Sequence, residues 1–229
     1  MKDNNGLLWF NESSKGQEIE FIIPGTKQRN STFYEFIDNP NFIIKKESKD
    51  FNREELLYML SIFNDVNDNV IKTDLPTMYY KENDLICGSI VPYYDNSKTL
   101  YEISKTKKLE KLMEVYKKDD DVIHNLFMLQ DEILDIMEEL FDNNICYYDS
   151  NSTNFVFKDG NVHLIDFDPK YIYFDQKRRH LYQTLLGLDT LFDKINNRLL
   201  SYDEFPYIPR SFNGFRKHLV KIENKVRKM

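Results

Sequence analysis

Asp149-Ser150-Asn151-Ser152-Thr153-Asn154, followed eleven residues after the asparagine by Ile165-Asp166-Phe167-Asp168, decides how this chain is read. A helical pattern ending near Leu140-Phe141 turns through Asp142-Asn143-Asn144 into the apolar run Ile145-Cys146-Tyr147-Tyr148, which reads as a strand stopping at Asp149. Asn154 opens a second strand, Phe155-Val156-Phe157. Lys158-Asp159-Gly160-Asn161 is a hairpin turn with Gly where a positive φ is needed, and Val162 to Ile165 is a third strand that delivers Asp166. Both acids thus emerge at strand ends, beside one another, on one side of a small hairpin. Carboxylates this close repel unless a cation neutralises them, so the pattern expects Mg²⁺ or Mn²⁺.

D-x-x-x-x-N alone is a weak signal in a chain rich in Asp and Asn, where turn and cap roles are common. The strand before it, the hairpin after it and I-D-F-D at this distance make the combination specific. One carboxylate to orient an attacking hydroxyl, then an amide and a second carboxylate to hold metal on the phosphates, is what phosphoryl transfer from Mg-ATP requires.

On these residues the stretch resembles the protein-kinase-like superfamily, which includes protein kinases, aminoglycoside and choline kinases, and small secreted bacterial effector kinases. Asn144 to Asp149 resembles the catalytic loop, with Tyr147 and Tyr148 where protein kinases usually carry His and Arg; Asp166-Phe167-Asp168 resembles their D-F-G. The resemblance implies Asp149 as catalytic base, Asn154 and Asp166 as metal ligands and Asp168 as an additional one. Losing the Arg removes the usual partner of a phosphorylated activation loop, and Asn151 stands where many protein kinases have a Lys that contacts the γ-phosphate. Activity independent of loop phosphorylation, and modest, is the expectation.

This implies a lysine for the phosphates and a glutamate to hold it in the first part of the chain. Phe21-Ile22-Ile23 reads as the entry strand, Thr26 to Thr32 as a polar loop, Phe33 to Phe36 as a second strand and Phe42-Ile43-Ile44-Lys45 as a third. The loop carries only Gly25, so backbone amides of Asn30 and Ser31, or the hydroxyls of Ser31 and Thr32, would cover the phosphates. Lys45 is the ATP lysine, and Lys46 points to the opposite face. A helix follows, N-capped by Asp50, with Leu56, Leu57, Leu60 and Phe63 apolar; Glu55 pairs with Lys45, and Glu54 is its competitor. Asp84 to Tyr94 reads as a strand entering a Pro-containing linker. The resemblance makes this the hinge, with Ile90, Val91 and Tyr93 supplying backbone groups to adenine. Asp121 to Phe141 is a long amphipathic helix, and Leu181 to Asn197 another.

The fold expected is α+β and two-lobed: residues 1–91 a small antiparallel-sheet lobe with one helix, residues 92–229 a reduced, mainly helical lobe. The chain has 229 residues, 41% of them hydrophobic, enough for a real core. The short stretch after Asp168 resembles minimal effector kinases more than regulated ones. No apolar stretch approaches the roughly 20 residues that span a bilayer, and Met1 to Gly6 lacks a signal pattern. A cytoplasmic setting follows, the host cytosol for a secreted effector. Cys87 and Cys146 read as free and buried, and no Cys/His cluster suggests zinc. Residues 206–229 hold seven Lys/Arg against Glu223, a net +6, leaving −13 elsewhere in a chain of net −7. Phe215, Leu219, Ile222 and Val226 make this a basic amphipathic helix over 213–229. The plainer reading packs it on its own acidic lobe; the sharper one gives it an anionic partner such as phospholipid or acidic protein, nucleic acid being the least expected. The function expected is an ATP- and Mg²⁺-dependent kinase acting on protein Ser/Thr. A small-molecule kinase, or a pseudokinase that binds a partner, is the alternative.

Overall fold

The computed structural model describes residues 1–3, 6–20, 31–48, 51–67, 74–201 and 210–229. The chain is α+β and divides into two compact units, Met1–Asp95 with Phe167–Pro169, and Asn96–Asp166 with Lys170–Met229. The division falls after Asp95, against the expected 91/92. The strand expected at Phe21-Ile23, the Gly25 loop and the Asp50 cap lie outside the described residues.

The first unit is built on strands β1 (Leu8–Phe10), β2 (Lys15–Ile19), β3 (Ser31–Phe36), β4 (Phe42–Glu47), β5 (Met78–Glu82) and β6 (Leu85–Pro92), with one helix, α1 (Arg53–Asn67). The strands form one sheet in the order β1-β5-β6-β4-β3-β2. It is mixed rather than antiparallel as expected, because β1 pairs with β5 in parallel, Leu8 opposite Met78. Strand alternation sorts β4 cleanly. Ile44 joins Phe36, Tyr80 and Ile90 in a buried cluster, with Phe10, Tyr34, Phe42 and Met78 packed against it. Ile43 and Lys45 take the other face. In α1, Leu56, Met59, Leu60 and Phe63 recur at helical spacing and are buried. Asn52 starts this helix, its Oδ1 accepting from the Glu54 and Glu55 amides at 3.1 and 3.3 Å. Phe167 belongs to this unit and sets its ring edge-on to Phe63, centroids 5.3 Å apart.

Gly88 is needed where β6 crosses β4. A Cβ there would overlap the Lys45 carbonyl oxygen and meet Lys45 C and Lys46 Cα at 3.0 Å. Only hydrogen at this position lets the two strands pair, Gly88 opposite Lys46.

The second unit contains β7 (Lys98–Thr99), α2 (Leu100–Lys105), α3 (Glu110–Met113), α4 (Val122–Asp142), β8 (Cys146–Tyr147), β9 (Phe155–Lys158), β10 (Asn161–Leu164), β11 (Ile172–Tyr173), α5 (Arg178–Leu200) and α6 (Phe212–Val226). Asp121 caps α4, its Oδ1 accepting from the Ile123 and His124 amides at 2.9 and 3.0 Å. The other end closes as a Schellman turn. Asn144 is left-handed, its N–H donates to Phe141 O, and the Ile145 N–H reaches back to Leu140 O at 2.8 Å. This turn feeds β8. Asp159 and Gly160 are both left-handed, as a two-residue hairpin between β9 and β10 demands.

The basic helix packs on its own acidic neighbour. α6 buries Phe212, Phe215, Leu219 and Ile222. Arg216 reaches Asp131, Asp135 and Glu138 on one face of α4 at 2.9, 2.6 and 2.5 Å, and Arg227 reaches Asp121 at 2.6 Å. Among the described residues, no helix is long and apolar enough to cross a membrane.

Candidate active site

Three short strands carry the sequence motif to one place in the second unit. β8 ends in Tyr147, Asp149 follows two residues on, Asn154 precedes β9, and Asp166 follows β10. The loop between them is tied at both ends. Thr184 of α5 donates its hydroxyl to Tyr147 O at 3.0 Å, and Tyr148 N–H donates to Tyr171 O at 3.1 Å. Within the loop, Asn154 N–H donates to Asn151 O at 2.9 Å, and Ile165 N–H donates to Asn154 O at 2.8 Å. The last of these joins the Asn154 turn directly to the strand that delivers Asp166.

Asn154 is the hub. It is buried, and its Nδ2 donates to Asp149 Oδ2 at 3.0 Å, Asp149 O at 3.1 Å and the Tyr147 hydroxyl at 2.8 Å. The Tyr147 hydroxyl in turn donates to Asp166 O at 3.4 Å. Asp149, Asn154 and Asp166 are therefore joined through two neutral groups, an amide and a phenol. With the nitrogen committed, the Asn154 amide presents Oδ1 on its other side, where it accepts from Thr153 Oγ1 at 3.2 Å. Asp166 is exposed and left-handed, φ 64°, a conformation that a non-glycine residue holds only at a cost.

Tyr147 is the member of this cluster that the sequence does not reveal. It was read as a departure, yet it is fully buried and links both ends of the motif. Its position at the end of an apolar strand, with a polar tip needing a partner, is the signal that was available.

In the first unit, Lys45 is 6% exposed, and Glu47 Oε1 stands 3.2 Å from its ammonium. Ser31 Oγ donates to the other oxygen of Glu47 at 2.6 Å. The expected partner was Glu55 or Glu54. Both lie exposed in the first turn of α1, and among the described residues neither pairs with Lys45. Glu47 takes that place because residues two apart on a strand share a face. The Ser31 hydroxyl, expected over phosphates, is committed to Glu47. Thr32 lies opposite Lys46 in the β3–β4 ladder.

Lys46 points the other way, as alternation requires. Its ammonium is 2.5 Å from Glu82 Oε2, while Lys15 is 2.7 Å from Oε1 and Tyr80 OH donates to Oε1 at 3.0 Å. Burial alone would raise the Glu82 carboxyl, but these three donors outweigh it and hold the pKa down to about 2. Tyr80 is pushed up, first by burial and then by its bond to Glu82.

The strand expected to contact adenine is committed elsewhere. Ile90 is buried and paired on both sides, with Ile44 and Met78; Val91 lies opposite Ile43; and the Tyr93 N–H donates to Asn41 O at 2.8 Å. The Tyr93 amide, expected as an adenine donor, is therefore already used. Asp168 sits in the Phe167–Pro169 segment of the first unit. Among the described residues, no three or more His, Cys, Asp or Glu side chains gather into a group that could hold a metal ion. No protein-family model matches the chain, and no curated protein matches it.

Proposed function

We propose that this chain is an ATP-dependent phosphotransferase that moves the γ-phosphate to a hydroxyl, most simply on protein Ser or Thr. The observation that supports the reading is the hydrogen-bond cluster of the Asp149 carboxylate, the Asn154 amide and the Tyr147 hydroxyl, which reaches the backbone carbonyl of Asp166; phosphoryl transfer uses two acids and an amide of this kind. In this reading Asp149 accepts the proton of the attacking hydroxyl and orients its oxygen. Asn154 Oδ1 and the Asp166 carboxylate are hard oxygen donors that suit Mg²⁺ or Mn²⁺, and the small number of protein ligands suits a metal shared with phosphates. Such a metal neutralises phosphate charge when bound. Lys45, buried and held by Glu47 in the first unit, is the ammonium that the resemblance assigns to ATP.

The test is phosphate transfer from labelled ATP to lysate protein by purified chain, alongside Asp149→Ala and Asp166→Ala. Signal from the parent that disappears in both variants supports an enzyme. Equal signal in the variants means contamination, and no Mg-ATP uptake by calorimetry in the parent ends the reading, the pseudokinase alternative included where nucleotide is required.

A further inference from the structure

The second unit contains a cavity of about 540 Å³ whose lining, among the described residues, is Arg178, Arg179, Tyr182 and Arg210. All four are exposed, and among the described residues neither Arg178 nor Arg210 pairs with a carboxylate. Among the described residues, the acid nearest the α5 arginines in sequence, Asp175, is already used: Lys177 Nζ lies 2.9 Å from Oδ2, and the Lys177 amide and His180 Nδ1 bond Oδ1 at 3.0 and 2.6 Å. Lys177 first, and then its own amide and His180, hold Asp175 well below the usual carboxylate range, so it remains an anion committed to them. Three guanidinium groups around one cavity repel one another unless an anion enters. Their planar forks match phosphate oxygens two at a time, and the Tyr182 phenol adds a donor.

The cavity is joined to the catalytic loop by contacts inside the same unit. Arg179 Nε donates to His180 Nε2 at 3.0 Å. The His180 ring stacks on Tyr173 with centroids 3.7 Å apart, and Tyr173 stacks on Tyr148 at 5.2 Å. Tyr148 is the residue before Asp149. An anion held by the arginines is thus tied through one hydrogen bond and two ring stacks to the loop that presents the candidate base.

We propose that this cavity binds the phosphate of an already phosphorylated side chain on the protein acceptor, so that the chain selects primed substrates. The word acceptor rests on the kinase reading; the phosphate site does not. An unphosphorylated acidic peptide is the weaker fit, because one carboxylate satisfies one fork and leaves the remaining guanidinium charge uncompensated.

The test uses two fluorescent degenerate peptide mixtures that differ only in a fixed phosphoserine or serine, titrated with the full chain. Parent protein is expected to bind the phosphorylated mixture at least about tenfold more tightly. Arg178→Gln with Arg210→Gln, which keeps length and removes two charges, is expected to reduce that preference below about threefold while leaving Mg-ATP affinity and circular dichroism unchanged. No preference in the parent, or a preference that survives in the double variant, overturns the proposal. Inorganic phosphate that displaces the phosphopeptide at equal concentration places the free ion in the cavity, and overturns it too. Normal Mg-ATP binding with no phosphopeptide preference sinks this site alone; an intact preference without Mg-ATP binding sinks the kinase reading and leaves the site standing.

Discussion

Replacing Tyr147 by Phe removes one oxygen from the centre of the candidate site and nothing else. The ring is fully buried and stays in place, so no cavity larger than a hydroxyl is opened. Two hydrogen bonds are lost, a good one from Asn154 at 2.8 Å and a long one to Asp166 O at 3.4 Å. The size of the loss depends on what Asn154 does next. Its two amide hydrogens have three acceptors in reach, and two of these, Asp149 O and Oδ2, survive the substitution. The donor is therefore not orphaned, and the cost is that of about one net hydrogen bond, about 1–1.5 kcal/mol, rather than the roughly 3 kcal/mol of a stranded buried group. With an m-value of about 2 kcal/mol/M, the urea midpoint followed by far-UV circular dichroism falls by about 0.5–0.8 M. A shift under about 0.15 M means that the hydroxyl bridges nothing. One above about 1.5 M means that Asn154 has no alternative acceptor, and the hub described here is wrong. Phosphotransfer, where present, drops by about tenfold or more, because the Asp166 segment loses an anchor.

Two further outcomes test the first unit. Gly88→Ala forces β4 and β6 apart at Lys45, since the new methyl meets backbone rather than a side chain that can swing away; a loss of about 3 kcal/mol or more in urea unfolding is expected, and a loss below about 1 kcal/mol refutes the strand register. Glu82 has its carboxyl lowered from 4.5 to about 2, so it contributes stability above pH 4.5 that is lost as pH falls toward 2. Discounted for solvent screening this is about 1 kcal/mol. Glu82→Gln should therefore be less stable than the parent at pH 7 and converge with it near pH 2 in thermal melts; a constant offset across that range counts against the Lys15–Glu82–Lys46 network.

The parts legible in the sequence are those whose signal is local. α4 announces itself by an Asp cap, a long apolar stripe and an Asn-Asn exit, and the β9–β10 hairpin by Asp159-Gly160 at positions that need positive φ. β1 and β2 were not legible. β1 is three residues long and gains its place through a parallel partner, β5, far along the chain, while β2 reads Lys-Gly-Gln-Glu-Ile and carries almost no apolar alternation. Such strands are fixed by pairing rather than propensity. Within the site, the placing of Asp149, Asn154 and Asp166 at the ends of three short strands was readable, because the apolar runs and the hairpin turn that carry them are local. Glu47 was not legible for a different reason: the resemblance implies a helix partner for Lys45, although strand alternation already puts a carboxylate on the same face. Tyr147 was missed because its importance lies in where its hydroxyl points, which no local pattern records.

Asp166 combines a carboxylate that the kinase reading assigns to metal with a backbone that would prefer glycine, and the two demands can be separated. Its φ of 64° costs an L-residue with an ordinary side chain about 1 kcal/mol, and less for Asp, whose short polar side chain tolerates the left-handed region. Asp166→Ala removes the carboxylate but keeps the strain; Asp166→Gly removes both. The glycine variant should then be the more stable of the two by about 1 kcal/mol, even though glycine elsewhere loosens a chain. Both should be equally unable to transfer phosphate under the kinase reading. Thermal melts of the pair, run beside the parent, read the backbone term without any assay of activity. An alanine variant as stable as the glycine variant would mean that the residue is not held left-handed, and the turn that follows β10 would have to be redrawn. A glycine variant that is more stable than the parent as well would mark the position as one where stability is given up for the carboxylate, the signature expected of a working site rather than of a cap in a turn.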